Sequence, residues 1–137
     1  MDPIIEGGCH CRAVRYACQS APIAEGHCQC SDCRIFSGTG HSSHLMAART
    51  AVRITGVAKG YSTRADSGNT VTRYFCATCG AQVYSLNSGY PDAIYLRASS
   101  LDDPSRFHPR MVVFTDSAPP WDFVDSALMR FPRMPQG

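Results

Sequence analysis

Seven of the eight cysteines in this 137-residue chain fall into three tight groups, and this grouping constrains the fold more than any other sequence feature. The groups are Cys9/Cys11, Cys28/Cys30/Cys33 and Cys76/Cys79. Cys18 lies outside them and is predicted to be a small, buried, apolar side chain. Because a metal ion collects thiolates from several places in a chain, the segments that carry the groups are expected to meet in space.

Three kinds of chemistry use clustered cysteines. A disulfide framework belongs to secreted chains and would not persist in a reducing cytosol, and cysteines at one- and two-residue spacings are poor partners for each other. An iron–sulfur cluster needs four thiolates, but the recurrent ferredoxin spacings are missing from this sequence. Zinc is therefore the predicted cofactor.

The central group, Cys28, Cys30 and Cys33, is the candidate functional site. Residues two apart in a strand share a face, so Cys28 and Cys30 can aim together, and the turn that follows can bring Cys33 to the same point. Zinc takes four ligands, and sites with three protein ligands keep one position for a substrate. We call this group the three-cysteine site.

The Cys76-Ala77-Thr78-Cys79-Gly80 segment has the spacing of a zinc knuckle, in which the chain folds back around the metal and Gly80 takes a positive φ. The simplest partition joins Cys76 and Cys79 to Cys9 and Cys11 as a complete four-sulfur site. We call this group the four-cysteine site. The spacing alone leaves another possibility, in which Cys76 or Cys79 completes the three-cysteine site.

Alternating apolar residues predict a mainly β fold. Expected extended segments are residues 13–18, 22–27, 41–46, 51–55, 57–62, 71–75, 82–86, 93–98 and 111–114. Segments 51–55 and 57–62 are expected to form a hairpin around Gly56. The proline-rich remainder is expected to be an irregular tail with one short helix, on which Phe123, Val124, Ala127, Leu128 and Phe131 recur at helical spacing. Trp121 is expected to pack this tail onto the body.

Length and charge set the remaining expectations. The length suits a single domain spanning residues 1–137. The first six residues lack a basic start and an apolar run, and no later stretch approaches the length of a membrane span, so a soluble, cytoplasmic protein is expected. The formal charge is +2, and seven zinc-bound thiolates with two zinc ions would bring it to −1. With no basic run, a nucleic-acid partner is not expected.

Several motifs, in this order along the chain, resemble the glutathione-dependent formaldehyde-activating enzyme family, which also includes centromere-protein-V-like proteins. They are GCHC at 8–11, AVRY at 13–16, CQCSDCR at 28–34, SG at 37–38, FCATCG at 75–80, LDDP at 101–104 and PW at 120–121. The resemblance implies a zinc-bearing β-sandwich of the Mss4-like type. It also implies a structural zinc on Cys9, Cys11, Cys76 and Cys79, and a catalytic zinc on Cys28, Cys30 and Cys33.

Two positions depart from the family pattern. Gln29 stands where the family commonly has His, and Arg12 stands where it commonly has Gly. Neither change removes a predicted metal ligand, but both bear on which substrate enters the site.

The activity that the resemblance implies is that of a carbon–sulfur lyase, which joins a glutathione-like thiol to formaldehyde or a related aldehyde and can run in reverse. Two other classes remain: a non-catalytic zinc-stabilised binding or scaffold module, and a carrier of another small thiol or aldehyde. Arg34 is the catalytic candidate beside the three cysteines, as a donor to the developing alkoxide. Ser37, Thr39 and His41 are further candidates for that role, and Arg34, Arg73 and Arg97 are unranked candidates for binding substrate carboxylates.

The histidines are not expected to bind the metal. His27, next to Cys28 in an extended segment, is predicted to face away from the site. His41 and His44 lie near enough in sequence to reach it, but each is interpreted as a strand residue with its own hydrogen bonds.

Overall fold

The computed structural model describes residues 3–135. Residues 1, 2, 136 and 137, which include both ends of the predicted domain and the last residues of the predicted tail, lie outside the described residues. The described part consists mainly of strands, with one α-helix. The elements are β1 (Ile5–Gly8), β2 (Arg15–Cys18), β3 (Ala24–Cys28), α1 (Ser31–Ser37), β4 (Ser42–Ala48), β5 (Val52–Thr55), β6 (Ala58–Arg64), β7 (Thr70–Cys76), β8 (Gln82–Asn87), β9 (Ala93–Arg97), β10 (Met111–Val113) and β11 (Met129–Arg130).

The strands form two sheets, which confirms the predicted fold class. The smaller sheet has the order β1-β2-β5, and the larger has the order β11-β10-β3-β4-β9-β8-β7-β6. Neighbouring strands are antiparallel except at β10, which runs parallel to β3 and to β11. The first cysteine group follows β1 of the smaller sheet, and the last group begins at the end of β7 in the larger sheet. The two groups therefore come from different sheets.

Both sheets contribute side chains to one apolar core. The smaller sheet and the segment before β2 provide Ile5, Val14, Tyr16 and Cys18, and the larger sheet provides Leu45, Ala47, Val83, Ile94 and Leu96. Cys18 is fully buried there, as predicted for the cysteine outside the groups. Alternation along the strands explains the result, because every second residue of each strand can be apolar and inward-facing.

The opposite face of the larger sheet carries the three-cysteine site. Gly26, His44 and Arg97 are direct partners across β3, β4 and β9, and Cys28 pairs with Ser42 two residues further along. Residues that are paired across strands, or two apart on one strand, share a face. Cys28, Ser42, His44 and Arg97 therefore all lie on the same side of this sheet, away from the core side chains Leu45 and Leu96.

The predicted hairpin around Gly56 is wrong. β5 pairs with β2 in the smaller sheet, whereas β6 pairs with β7 in the larger one. Gly56 has a φ of 84°, and a Cβ at this position would overlap the carbonyl oxygen of Ala13. The chain passes from one sheet to the other at this glycine. The signal for a turn was correct, but it did not show which strands would become partners.

The predicted C-terminal helix is also wrong. Residues 121–131 form turns and extended chain, and Met129–Arg130 joins the larger sheet as an edge strand beside β10. Phe123 is almost fully exposed, so the helical spacing does not reflect a buried apolar face. Trp121 is 61% exposed, and the expectation that it packs the tail onto the body is wrong as well. The tail is irregular between Trp121 and Leu128, as predicted.

Over the described residues, the longest helix is far too short to reach across a membrane.

Candidate functional site

The four thiols of Cys9, Cys11, Cys76 and Cys79 meet at one point between the two sheets. Their sulfur atoms all lie within 4.8 Å of one another, with Cys11 Sγ at 3.7 Å from Cys9 Sγ and 3.6 Å from Cys76 Sγ. A tetrahedral zinc ion at ~2.3 Å from each sulfur would place the sulfurs roughly 3.8 Å apart. A disulfide would hold two of them at about 2.05 Å, and all four cysteines are free thiols. The donor set and its spacing therefore fit a zinc ion.

Backbone amides surround the four-cysteine site. The N–H of Val14 donates to Cys9 Sγ at 3.2 Å, and the N–H groups of Thr78 and Cys79 donate to Cys76 Sγ at 3.4 and 3.5 Å. Hydrogen bonds of this kind orient metal ligands and offset their negative charge. Since they come from the main chain, the local turns themselves preform the site.

Each turn of the four-cysteine site ends in a residue with left-handed backbone. Gly80, after the second pair, has a φ of 79°, as predicted. Arg12, after the first pair, has a φ of 69°, a region that disfavours any residue with a Cβ. Glycine would adopt this conformation without a steric penalty, whereas Arg12 adopts it at some cost in free energy.

The three-cysteine site is built from one continuous segment. Cys28 is the last residue of β3, Cys30 caps the N-terminus of α1, and Cys33 lies in the first turn of that helix. Cys30 Sγ accepts a hydrogen bond from the N–H of Cys33 at 3.3 Å. The predicted strand-and-turn arrangement is thus a strand followed by a helix, and the helix was missed. Seven residues make only two turns, and the sequence signals for it were Asp32 in the first turn and Gly38 at the C-cap.

The sulfurs of Cys28, Cys30 and Cys33 lie within 4.8 Å of one another, and all three are free thiols. In the described part of the chain, no histidine, cysteine, aspartate or glutamate places a fourth ligand atom within the same range of all three. Three thiolates suit zinc but supply only part of a tetrahedral shell. The residues thus fit a metal ion that keeps one position for a ligand from outside the chain.

Shared hydrogen bonds make the three thiols unequal. Bonds from Cys28 and Cys30 lower the pKa of Cys33 far below its ordinary value, and His44 lowers it further. The pKa of Cys28 is raised because its proton is shared with Cys30 and Cys33 and because the side chain is buried.

Two side chains on the cysteine face of the sheet, those of Arg97 and His44, have buried polar atoms without partners among the described residues. Arg97 is 3% exposed, and its Nη2 has no hydrogen-bond partner among the described residues. His44 uses Nε2 to contact Ser42 Oγ at 2.5 Å, but its buried Nδ1 has no partner there either. Such groups are rare in folded proteins and mark places where a ligand, ion or water completes the bonding.

A carboxylate that the sequence reasoning did not identify lies behind the three-cysteine segment. Asp122 accepts hydrogen bonds from Gln29 Nε2 at 3.0 Å and from His41 Nδ1 at 2.9 Å. Burial alone would raise the pKa of Asp122, but the bonds from Gln29 and His41 outweigh it and hold the pKa below its ordinary value. Gly40 is needed here because a Cβ on it would overlap the carboxylate. The partners are more than eighty residues apart in sequence, so no local pattern announces them.

The remaining candidate residues have identifiable contacts. His27 bonds Ser43 Oγ at 2.8 Å on the face opposite Cys28, as predicted. Arg34 Nη1 donates to the carbonyl oxygens of Gln29 and Ser117, which ties α1 to the segment after β10. Ser37 Oγ donates to the carbonyl of Arg34 at 3.1 Å. These bonds place Arg34 and Ser37 in the support of the helix that carries Cys33.

Comparisons with known proteins agree with this geometry. The family model described as "Glutathione-dependent formaldehyde-activating enzyme" matches residues 4–117. A protein of Halomonas elongata described as "Putative glutathione-dependent formaldehyde-activating enzyme" is 26% identical over 129 residues, which cover 90% of this chain and 82% of that protein. A crystal structure of a Rhodobacter sphaeroides protein has the same fold, with a TM-score of 0.57 and 21% identity over 73% of this chain and 92% of that one.

The family match covers both cysteine sites, the smaller sheet and every strand of the larger sheet except β11. The chain therefore belongs to the glutathione-dependent formaldehyde-activating enzyme family.

Proposed function

We propose that the protein is a zinc-dependent carbon–sulfur lyase that adds a glutathione-like thiol to formaldehyde or a related aldehyde and catalyses the reverse cleavage. The observation that carries the proposal is the three-cysteine site, which presents three sulfurs and no fourth protein ligand among the described residues. Membership of the family supports the choice of glutathione and formaldehyde as the substrate classes.

The two cysteine sites are assigned different tasks. Cys9, Cys11, Cys76 and Cys79 would hold a structural zinc, because four thiolates complete its shell. Cys28, Cys30 and Cys33 would hold the catalytic zinc. When bound there, zinc supplies a coordination position at which a substrate thiol is held as its thiolate.

The reaction balances without a redox partner. The thiol loses its proton, its sulfur forms a bond to the carbonyl carbon, and the π electrons of the carbonyl move to oxygen, which takes up a proton. A free thiol with a pKa near ~8.5 is already a few per cent ionised at neutral pH, so complete ionisation gains only about 30-fold. Holding the thiol and aldehyde together is worth far more, since effective molarities reach about 10⁵ M or higher.

The chain's own residues position the reactants. Backbone bonds at Cys30 fix the start of α1, and Arg34 fastens that helix to the segment after β10, so the three sulfurs converge before any substrate arrives. Arg34 is our candidate hydrogen-bond donor to the developing alkoxide. Its Nη1 also donates to two backbone carbonyl oxygens. The unpartnered nitrogens of Arg97 and His44 provide polar atoms on the same face of the sheet.

The test is the exchange rate between ¹³C-formaldehyde and its glutathione adduct, measured by magnetisation-transfer NMR with the zinc-loaded protein. We expect the exchange rate of the wild-type protein to exceed the uncatalysed rate. In Cys30→Ser, the part of the rate above the uncatalysed value should be at least about tenfold smaller. Serine is a matched control because it is a preferred N-cap residue and so keeps the start of α1 while removing a sulfur ligand.

Wild-type exchange at the uncatalysed rate would overturn the lyase proposal. If glutathione still bound under those conditions, the binding-module alternative would take its place. Equal exchange rates for wild type and Cys30→Ser would show that the activity does not depend on the three-cysteine site.

A further inference from the structure

Arg97 is a buried cation without a carboxylate partner. The ion pairs among the described residues join Arg15 to Asp102, His41 to Asp122 and Arg106 to Asp103, and none includes Arg97. Arg97 is only 3% exposed, so its guanidinium group has little contact with bulk solvent. Buried charges in folded proteins are paired or bound to a ligand, because an isolated one is costly to desolvate.

The anionic groups that act on Arg97 are the three cysteines. Burial lowers the pKa of Arg97 most, and the charge of Cys33 opposes this effect; the neighbouring Arg73 lowers the pKa further, and Cys28 and Cys30 oppose it more weakly. The strand register agrees, since Arg97 pairs with His44, and His44 lies two residues from the partner of Cys28. The guanidinium and the three sulfurs therefore form one electrostatic unit on this face of the sheet.

The other two arginine candidates, Arg34 and Arg73, each have protein partners for their Nη1 atoms. Arg34 serves backbone carbonyls, as described above. Arg73 is also buried, but its Nη1 donates to Thr63 Oγ1 at 3.1 Å and its guanidinium lies 4.6 Å from the centre of the Phe36 ring. Among these three, only Arg97 has a buried guanidinium nitrogen without a partner in the described part of the chain.

Three thiolates and one divalent ion leave a net charge of −1, and a fourth thiolate from the substrate raises it to −2. A neutral fourth ligand adds no charge. A fixed cation beside this centre would thus favour an anionic ligand over a neutral one, by an amount that depends on its charge and distance.

From this geometry we propose that Arg97 is the positioning residue that makes the three-cysteine site selective for a thiolate, by supplying the counter-charge for the fourth sulfur. The proposal rests on the proposed function only in requiring that a thiol binds at this site. It assigns Arg97 to the bound sulfur, and not to a carboxylate elsewhere on the substrate.

The experiment uses the full chain with zinc in the four-cysteine site and cobalt in the three-cysteine site. Absorption of the cobalt centre is followed during titration with three probes: 2-mercaptoethanol, which lacks a carboxylate, glutathione, and the neutral ligand imidazole. The variants are Arg97→Met and Arg97→Lys, with Arg53→Met as the control for removing an arginine charge, because Arg53 is exposed on β5 in the smaller sheet. Circular dichroism establishes that each variant is folded.

We expect Arg97→Met to weaken both thiols to a similar extent, at least about tenfold, the scale of a unit charge at an effective dielectric constant near 20. Imidazole binding should change by less than about twofold on the same basis. Arg97→Lys, which keeps the charge, should recover most of the loss and also provides the measurement if Arg97→Met does not fold. Arg53→Met should leave the binding of all three probes close to wild type.

Three results would overturn the proposal. Loss of glutathione affinity with unchanged 2-mercaptoethanol affinity would assign Arg97 to a carboxylate. Equal weakening of thiols and imidazole would show a merely structural role, and unchanged binding of all three probes would show none. If the wild-type cobalt centre bound no thiol at all, the proposed function itself would fail, which is a different outcome from any of these.

Discussion

The two cysteine sites differ in where their ligands come from. The four-cysteine site takes its sulfurs from two segments 65 residues apart, and Cys9 and Cys76 belong to the apolar core. The three-cysteine site takes its sulfurs from a single run of six residues at the junction of β3 and α1. A metal ion that joins distant segments closes a long loop and stabilises the fold, whereas one held by a short segment adds little closure.

The two sites also differ in the hydrogen bonds around them. Main-chain N–H groups surround the sulfurs of the four-cysteine site and complete their bonding. On the face of the sheet that carries the three-cysteine site, one buried nitrogen of Arg97 and one of His44 have no hydrogen-bond partner among the described residues. The four-cysteine site thus has hydrogen-bond partners from its own main chain, whereas the three-cysteine site has polar atoms nearby that a ligand could contact.

The largest expected effect is on folding. Cys76→Ser, or removal of zinc by a strong chelator, should unfold the domain, because a structural zinc contributes on the order of 10 kcal/mol. Cys30→Ser should keep the fold, since serine retains the N-cap acceptor for α1. Far-ultraviolet circular dichroism with thermal melting measures both. Similar melting curves for Cys76→Ser and Cys30→Ser would remove the distinction between the sites.

The next effect concerns the tail behind the three-cysteine site. Asp122→Ala should lower the free energy of unfolding by about 1–3 kcal/mol, because it leaves the buried donors of Gln29 and His41 without their acceptor. Asp116→Ala, which removes an exposed carboxylate, should change it by less than about 0.5 kcal/mol. Denaturant unfolding of the zinc-loaded proteins gives both values. Matching values would mean that the tail does not anchor the site.

The smallest expected effect tests the turns of the four-cysteine site. Arg12→Gly should raise the free energy of unfolding by up to about 1 kcal/mol, because glycine adopts the left-handed backbone without a Cβ penalty. Gly80→Ala should lower it by about 1 kcal/mol for the same reason. Denaturant unfolding in the presence of zinc is the measurement. A loss of stability in Arg12→Gly would show that the arginine side chain, and not the backbone, decides this position.

Local spacing indicated where the cysteine groups lie, because a knuckle such as Cys76–Cys79 with Gly80 is complete within a few residues. The resemblance then assigned the partners, and the structure brings together the same four and the same three cysteines. Strand positions such as 71–75 and 82–86 were also predictable, since a period of two is visible in a short window.

Long-range pairing was not predictable from the sequence. The turn at Gly56 gave no sign that β5 joins β2 while β6 joins β7. The bonds of Asp122 to Gln29 and His41 likewise depend on how the tail crosses the body. Helix α1 was missed for a different reason: its polar first turn, Ser31 and Asp32, follows directly on the cysteines and reads as part of their loop.

The central claim is that the three-cysteine site takes its fourth ligand from outside the chain, and zinc X-ray absorption spectroscopy tests it most directly. With both sites loaded, four sulfurs at one ion and three at the other give an average of about 3.5 sulfurs per zinc, with a light-atom neighbour making up the rest. Saturation with glutathione should raise the average to about 4. A value of about 4 before any thiol is added, or no change at saturating glutathione, would contradict the account.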